Sequence, residues 1–301
     1  MSESTTTAEV IPTASAEPGL LADLLDLTKA RLNLLVLITT FVGYWMGAKG
    51  NIEWLRLMQA MFATALCAAS ASALNQLWEI KIDALMPRTA SRPLAAGRMK
   101  SSSALIFALV LSVVGIAWLW LAINALSAIL AASTVVIYAF LYTPMKRVSA
   151  YCTLVGAVSG AIPPVIGWAA ADPHLTTGAW VLFGVLFAWQ MPHFLAIAWM
   201  YRDQYRAAGL VMLKRDDHTG GPTAATAFVF TLLLTAITLV PFNTGQAGAV
   251  YLGGSLLINS IFFLAALHFF ADRSRPVARR LFFASILYLP LILGLMVFTK
   301  A

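Results

Sequence analysis

Residues 75–93 read N-Q-L-W-E-I-K-I-D-A-L-M-P-R-T-A-S-R-P and directly follow a long apolar segment. Asn75, Glu79 and Asp83 recur every fourth position. On a helix each such step drifts by roughly 40°, so the three side chains form one polar stripe roughly 12 Å long. Three oxygen-bearing groups in a row suit a hard cation such as Mg²⁺, which takes one or two carboxylates, some waters and substrate phosphates. Arg88, Arg92 and Arg98 follow closely and supply bidentate donors to phosphate oxygens. A loop whose charges only set topology needs Lys and Arg, but has no use for Asn, Glu and Asp in register. The stretch therefore reads as an anion and metal site at a membrane edge.

Composition supplies the membrane. Hydrophobic residues make up 60% of 301 and charged residues 11%, with a mean hydropathy of +0.81. A soluble domain carries about a quarter charged residues. The apolar runs last about 18–24 residues instead of alternating every second one, which predicts helices and not a barrel. The fold class expected is an all-α polytopic membrane protein. Its net charge of +7 lies in short loops, where it signals topology and not nucleic-acid binding. Cys67 and Cys152 both fall in apolar segments, so neither a disulfide framework nor a zinc site follows. Residues 1–19, rich in Ser, Thr, Ala, Glu and Pro without a basic start, read as a disordered tail; residues 20–301 read as a single transmembrane domain.

Hydropathy predicts a bundle of nine spans at roughly 32–49, 54–75, 103–122, 125–142, 150–171, 177–200, 223–241, 247–270 and 281–299. Of the 20 Lys and Arg, all but Lys49, Arg56 and Lys300 fall on one side of that arrangement. This requires an odd number of spans, with the amino terminus cytoplasmic and the carboxyl terminus outside. Far-side loops at 121–124, 172–177 and 241–246 are short and nearly uncharged. The chemistry is therefore expected at the cytoplasmic face of the bundle. Pro163, Pro164, Pro192 and Pro290 interrupt spans and free carbonyls that a cavity or a neighbouring helix must satisfy. The small-residue run 156–160, G-A-V-S-G, reads as a place of close helix approach.

A second polar cluster, Y-R-D-Q-Y-R-A-A-G at 201–209, closes the sixth span and follows W-Q-M-P-H-F at 189–194. Asp203 stands beside Arg202 and Arg206; its alternatives are a metal ligand or a salt-bridged loop residue. Gln190 and His193 lie inside an apolar span, where polar groups usually face the bundle interior. His193 is either a satisfied imidazole beside a proline bend or a substrate contact. Two acidic clusters on one membrane face, with arginines and apolar walls, suggest a lipid diphosphate. Metal and Arg would stabilise charge developing on the leaving group. Trp78, Tyr142, Trp189, Tyr201 and Tyr205 are candidates to face the allylic cation left behind.

These residues resemble the UbiA-type intramembrane prenyltransferases, whose first motif N-x-x-x-D-x-x-x-D is met as Asn75, Glu79 and Asp83. The likeness is strongest to the haem-prenylating branch, on residues 75–97, Y-T-P-M-K-R-V-S at 142–149, G-A-V-S-G-A-I-P-P-V-I-G-W at 156–168, and the stretches at 189–194 and 201–209. The resemblance implies that Asn75, Glu79, Asp83 and Asp203 engage Mg²⁺. It places Arg88, Arg92, Lys146, Arg147 and Arg202 around the diphosphate, and Trp78, Tyr142, Trp189, His193, Tyr201 and Tyr205 around the prenyl chain and acceptor. It implies farnesyl diphosphate as donor and haem B as acceptor and substrate, attacked at its 2-vinyl group with water addition, and it opens axial ligation of haem by His193. A later haem-modifying enzyme (haem A synthase) or oxidase-assembly protein would take the product. The chain departs from the pattern at Gln204, where an acid usually precedes the tyrosine, and near Cys152, where an Asn is usual. Competing readings are a prenyltransferase with an aromatic or quinone acceptor, and a lipid-diphosphate transporter or haem chaperone without turnover.

Overall fold

In the computed structural model, which describes residues 19–300, every element among the described residues is helical. The tail expected at the amino terminus, apart from Gly19, lies outside the described residues. The chain runs α1 Leu20–Leu27, α2 Ala30–Gly47, α3 Trp54–Asp83, α4 Ser101–Trp118, α5 Ala125–Val136, α6 Thr143–Met145, α7 Cys152–Ala171, α8 Thr177–Met200, α9 Arg202–Ala207, α10 Gly221–Asn243, α11 Ala249–Ala271 and α12 Arg275–Phe298. Two π-helical stretches, Leu119–Ile123 and Ile137–Tyr142, extend α4 and join α5 to α6. Among the described residues nine helical segments are long and apolar enough to cross a membrane. The large apolar side chains on their outer faces, such as Leu121, Val250 and Leu287, are exposed, as a lipid-facing surface requires. The protein is a multi-pass membrane protein.

The spans agree with hydropathy except at their polar ends. The second, expected to stop at residue 75, continues as α3 to Asp83 and contains 30 residues. At 1.5 Å per residue that is about 45 Å, well beyond a hydrocarbon core of about 30 Å. Its last turns, which carry the stripe, therefore stand on a rigid helix rather than in a loop. Likewise α12 begins at Arg275, not at 281, because Pro276 suits a first helical turn. Pro144 withholds the donor an α-helix would send back one turn, and the chain widens into a π-helix just before it.

Two apolar cores flank a central crossing of α2 and α7. On one side Leu182, Val185, Leu234, Phe262, Leu281 and Ile292 pack α8 with α10, α11 and α12. On the other, small residues such as Ala63, Ala104, Ala108, Ala131 and Ala139 bring α3, α4, α5 and the π-helical stretch after α5 close. At the crossing itself the backbones touch: a methyl group on Gly43 would overlap the Pro164 carbonyl, and one on Gly167 the Thr40 carbonyl. In the 156–160 run the close approach is of neighbouring side chains to the α7 backbone. Gly156 makes room for the Tyr142 ring and Gly160 for the Gln190 amide, whose Nε2 donates to the Ala157 and Leu186 carbonyls. The Gln190 amide nitrogen thus joins α8 to α7.

Candidate active site

The α3 stripe is formed as its spacing predicts. Asn75, Glu79 and Asp83 are all buried, at 0%, 6% and 1% exposure. Each meets a cation from a different part of the chain. Lys29 Nζ donates to Asn75 Oδ1 at 2.5 Å. Lys146 Nζ pairs with Glu79 Oε1 at 2.8 Å. Arg92 reaches both Asp83 oxygens at 2.8 and 2.7 Å. Burying charge demands such partners. The Asn75 amide nitrogen donates to Thr143 Oγ1 at 3.0 Å, and that hydroxyl donates to the Tyr138 carbonyl at 2.8 Å. The π-helix between α5 and α6 therefore closes over the stripe, bringing the Tyr138 ring to 6.0 Å from Lys29 Nζ and the Tyr142 ring to 4.5 Å from Lys146 Nζ.

Lys29 sits in the turn between α1 and α2 with φ 49 and is the one non-glycine residue of positive φ among those described. That left-handed conformation costs about 1–2 kcal/mol; the turn it makes aims the ammonium at Asn75. Burial holds the Lys29 ammonium below the ordinary lysine range. For Lys146 burial acts in the same direction, but Tyr142 and Glu79 outweigh it and hold that group above the ordinary range. α1 is itself anchored to the same end. Asp23, buried, pairs with Arg98 at 2.7 Å, and Gln76 Nε2 donates to the Asp26 carbonyl at 2.8 Å.

The two polar stretches of sequence do meet, through apolar and aromatic groups. Ile82, Met86, Tyr205, Ala208 and Leu210 form one cluster, with Tyr201 against it. Arg88 lies 5.5 Å from the centre of the Tyr201 ring and donates to Tyr205 Oη at 3.4 Å. Arg147 donates to the Trp78 carbonyl at 2.8 Å, while the Trp78 ring itself is 46% exposed on the outer surface. Asp203 does not join the stripe. It is 67% exposed and pairs with Arg275. Arg202 likewise turns away, lying over the Trp199 ring at 4.3 Å. Trp189 donates to the Ser285 carbonyl at 2.7 Å, and His193 Nδ1 lies 2.7 Å from Ser285 Oγ. Their contacts run to α12, not to α3.

Among the described residues no group of three His, Cys, Asp or Glu side chains gathers as a metal cage. The donors on α3 are nonetheless all oxygen, buried and on one line, which is the chemistry a hard cation takes when substrate phosphates supply its remaining ligands. Lys29 and Tyr138 carry no signal of this site in the sequence, and Thr143 lies in the 142–149 stretch without being singled out there. Lys29 sits in a basic flank that topology alone explains, and Tyr138 is one aromatic in an apolar span.

The model of the UbiA prenyltransferase family matches residues 36–287. Protoheme IX farnesyltransferase of Solibacter usitatus (strain Ellin6076) is 43% identical over 287 residues, 92% of this chain and 98% of that protein. The mitochondrial protoheme IX farnesyltransferase of Arabidopsis thaliana is 37% identical over 271 residues, 89% of this chain and 63% of its own. Among solved structures, that of a digeranylgeranylglyceryl phosphate synthase superposes with a TM-score of 0.80 at 17% identity, covering 93% of this chain and 98% of the other. A UbiA homologue from Archaeoglobus fulgidus bound to GPP and Mg²⁺ superposes with a TM-score of 0.65 at 14% identity, covering 91% and 99%.

Proposed function

The chain belongs to the UbiA prenyltransferase family and is a prenyltransferase, and from that premise we propose that it transfers the farnesyl group of farnesyl diphosphate to the 2-vinyl group of haem B, with addition of water. The observation that carries this reading is the buried α3 stripe, whose three oxygen-bearing side chains are each met by a separate cation. The similarity to protoheme IX farnesyltransferases supports the choice of donor and acceptor.

Asn75, Glu79 and Asp83 would hold Mg²⁺, which when bound with the diphosphate supplies Lewis-acid stabilisation of the leaving group. The chain's own cations do the rest. In the present arrangement Lys146 and Arg92 neutralise the two carboxylates of the stripe, while Lys29 donates to the neutral Asn75 amide. An incoming diphosphate offers all three cations charged oxygens, so Lys146 and Arg92 exchange one anion for another, Lys29 gains one, and Glu79 and Asp83 become free to bind metal. Arg88, held against Tyr201 and Tyr205, adds a fourth positive group at the rim. As the allylic C–O bond breaks, its electron pair leaves with the diphosphate and these groups stabilise the charge where it develops. The terminal vinyl carbon of haem then attacks the prenyl C1 and forms the new C–C bond. Water adds to the cation left next to the ring and loses a proton, giving a hydroxyethylfarnesyl side chain. Tyr138 and Tyr142 shield the site from bulk water and present electron-rich faces. We place this chemistry at the cytoplasmic face of the inner membrane, because the positively charged loops lie at that end.

Membranes containing the protein, incubated with farnesyl diphosphate, Mg²⁺ and haem B, should release diphosphate and yield extracted haem heavier by farnesyl plus water. Unmodified haem alongside prenylation of a quinone precursor would overturn the acceptor assigned here.

A further inference from the structure

A groove of about 710 Å³ opens between the end of α8 and the first turns of α12, lined by Met200, Tyr201, Arg275, Arg279, Arg280, Phe282 and Phe283 among others. Its charge is strongly one-sided. Arg275 is paired with Asp203, but among the described residues no carboxylate pairs with Arg279 or Arg280. Arg279 lies over the Phe283 ring at 5.5 Å. The floor is aromatic, and Phe282 separates the groove from His193, whose ring is 5.1 Å behind it. Tyr201 is a shared wall: the groove lies on one side, and Arg88 at the rim of the α3 stripe stands against the same ring.

We propose that this groove is the acceptor subsite, in which Arg279 and Arg280, with Arg275, hold the two propionates of the porphyrin against the aromatic wall of Phe282 and Phe283. This rests on haem B being the acceptor. A flat apolar macrocycle with two carboxylates at one edge matches a groove with an aromatic floor and a cationic lip. The propionates and the vinyl groups occupy opposite edges of protohaem, so anchoring the acids at the lip turns the vinyl edge inward. A phospholipid headgroup shares the anionic end, but it has no flat ring for the phenylalanines and no reason to border Tyr201 and the prenyl-diphosphate rim.

The test is a Soret-band titration of the full chain in phosphatidylcholine nanodiscs. R279A/R280A should bind haem B about tenfold more weakly than wild type, as two part-exposed charge contacts predict, whereas R279K/R280K should keep most of the affinity. Protohaem dimethyl ester, which lacks the acid groups, should bind wild type and R279A/R280A alike. Unchanged haem affinity in R279A/R280A, or an equal loss for the ester, would overturn the subsite. So would a loss that appears only in phosphatidylglycerol discs, which would assign the arginines to a headgroup. If wild type farnesylates haem and the variant still binds it normally, the subsite alone fails. If wild type consumes farnesyl diphosphate without modifying haem, the acceptor reading fails and the subsite with it.

Discussion

Asp83 and Asp203 are both paired with arginines at the same end of the bundle, yet they are physically unlike. Asp83 is 1% exposed, grips Arg92 through both oxygens, and ends a helix that reaches well past the hydrocarbon layer. The side chain of Asp203 is 67% exposed and meets Arg275 at the surface. A surface pair in water contributes about 0–1 kcal/mol, whereas a buried one cannot lose a partner without stranding a charge. We propose that this difference divides the labour: Asp83, desolvated and held by an arginine that an incoming anion can displace, turns toward metal and diphosphate, while the second cluster contributes through Tyr201 and Tyr205.

The contrast can be broken most forcefully at its buried end. Asp83→Asn should lower diphosphate release about 10³-fold, the usual scale for losing one group that stabilises transition-state charge, with membrane insertion unchanged. Lys146→Met leaves Glu79 buried and unpaired. It should cost about 3 kcal/mol of stability, read as a lower midpoint of thermal unfolding in detergent, and Glu79→Gln added to it should restore most of that loss. Arg88→Ala should raise KM for farnesyl diphosphate about tenfold, as expected for one charge-assisted contact. Tyr205→Phe, which removes only the long 3.4 Å hydrogen bond, should change it by about twofold or less. At the exposed end, Asp203→Asn should alter turnover by less than about threefold. A loss rivalling that of Asp83→Asn would erase the distinction.

How much of this could be read in the sequence follows from which contacts are local. The number of spans and the alignment of Asn75, Glu79 and Asp83 depend on helical periodicity and hydropathy, and both were legible. Two of their three partners are not local. Lys146 is 67 residues from Glu79 and Lys29 is 46 from Asn75, so only the folded chain joins them. The arrangement of the second cluster was legible in principle. Tyr201, which caps α9, and Tyr205 within it are one turn apart and share a face, while Asp203, about 200° around from Tyr201, must point away once the tyrosines pack on Ile82 and Met86. Attention to acids alone conceals this. The π-helix before Thr143 and the start of α12 at Arg275 stayed hidden because charged or proline-bearing turns lower hydropathy without ending a helix.

The claim that the α3 stripe is the metal site is tested most directly by Mn²⁺ binding in place of Mg²⁺, followed by electron paramagnetic resonance with farnesyl diphosphate present. Wild type and Asp203→Asn should sequester Mn²⁺ alike, while Asp83→Asn and Glu79→Gln should lose about tenfold or more in affinity. Normal Mn²⁺ binding by Asp83→Asn together with its loss in Asp203→Asn would contradict the account.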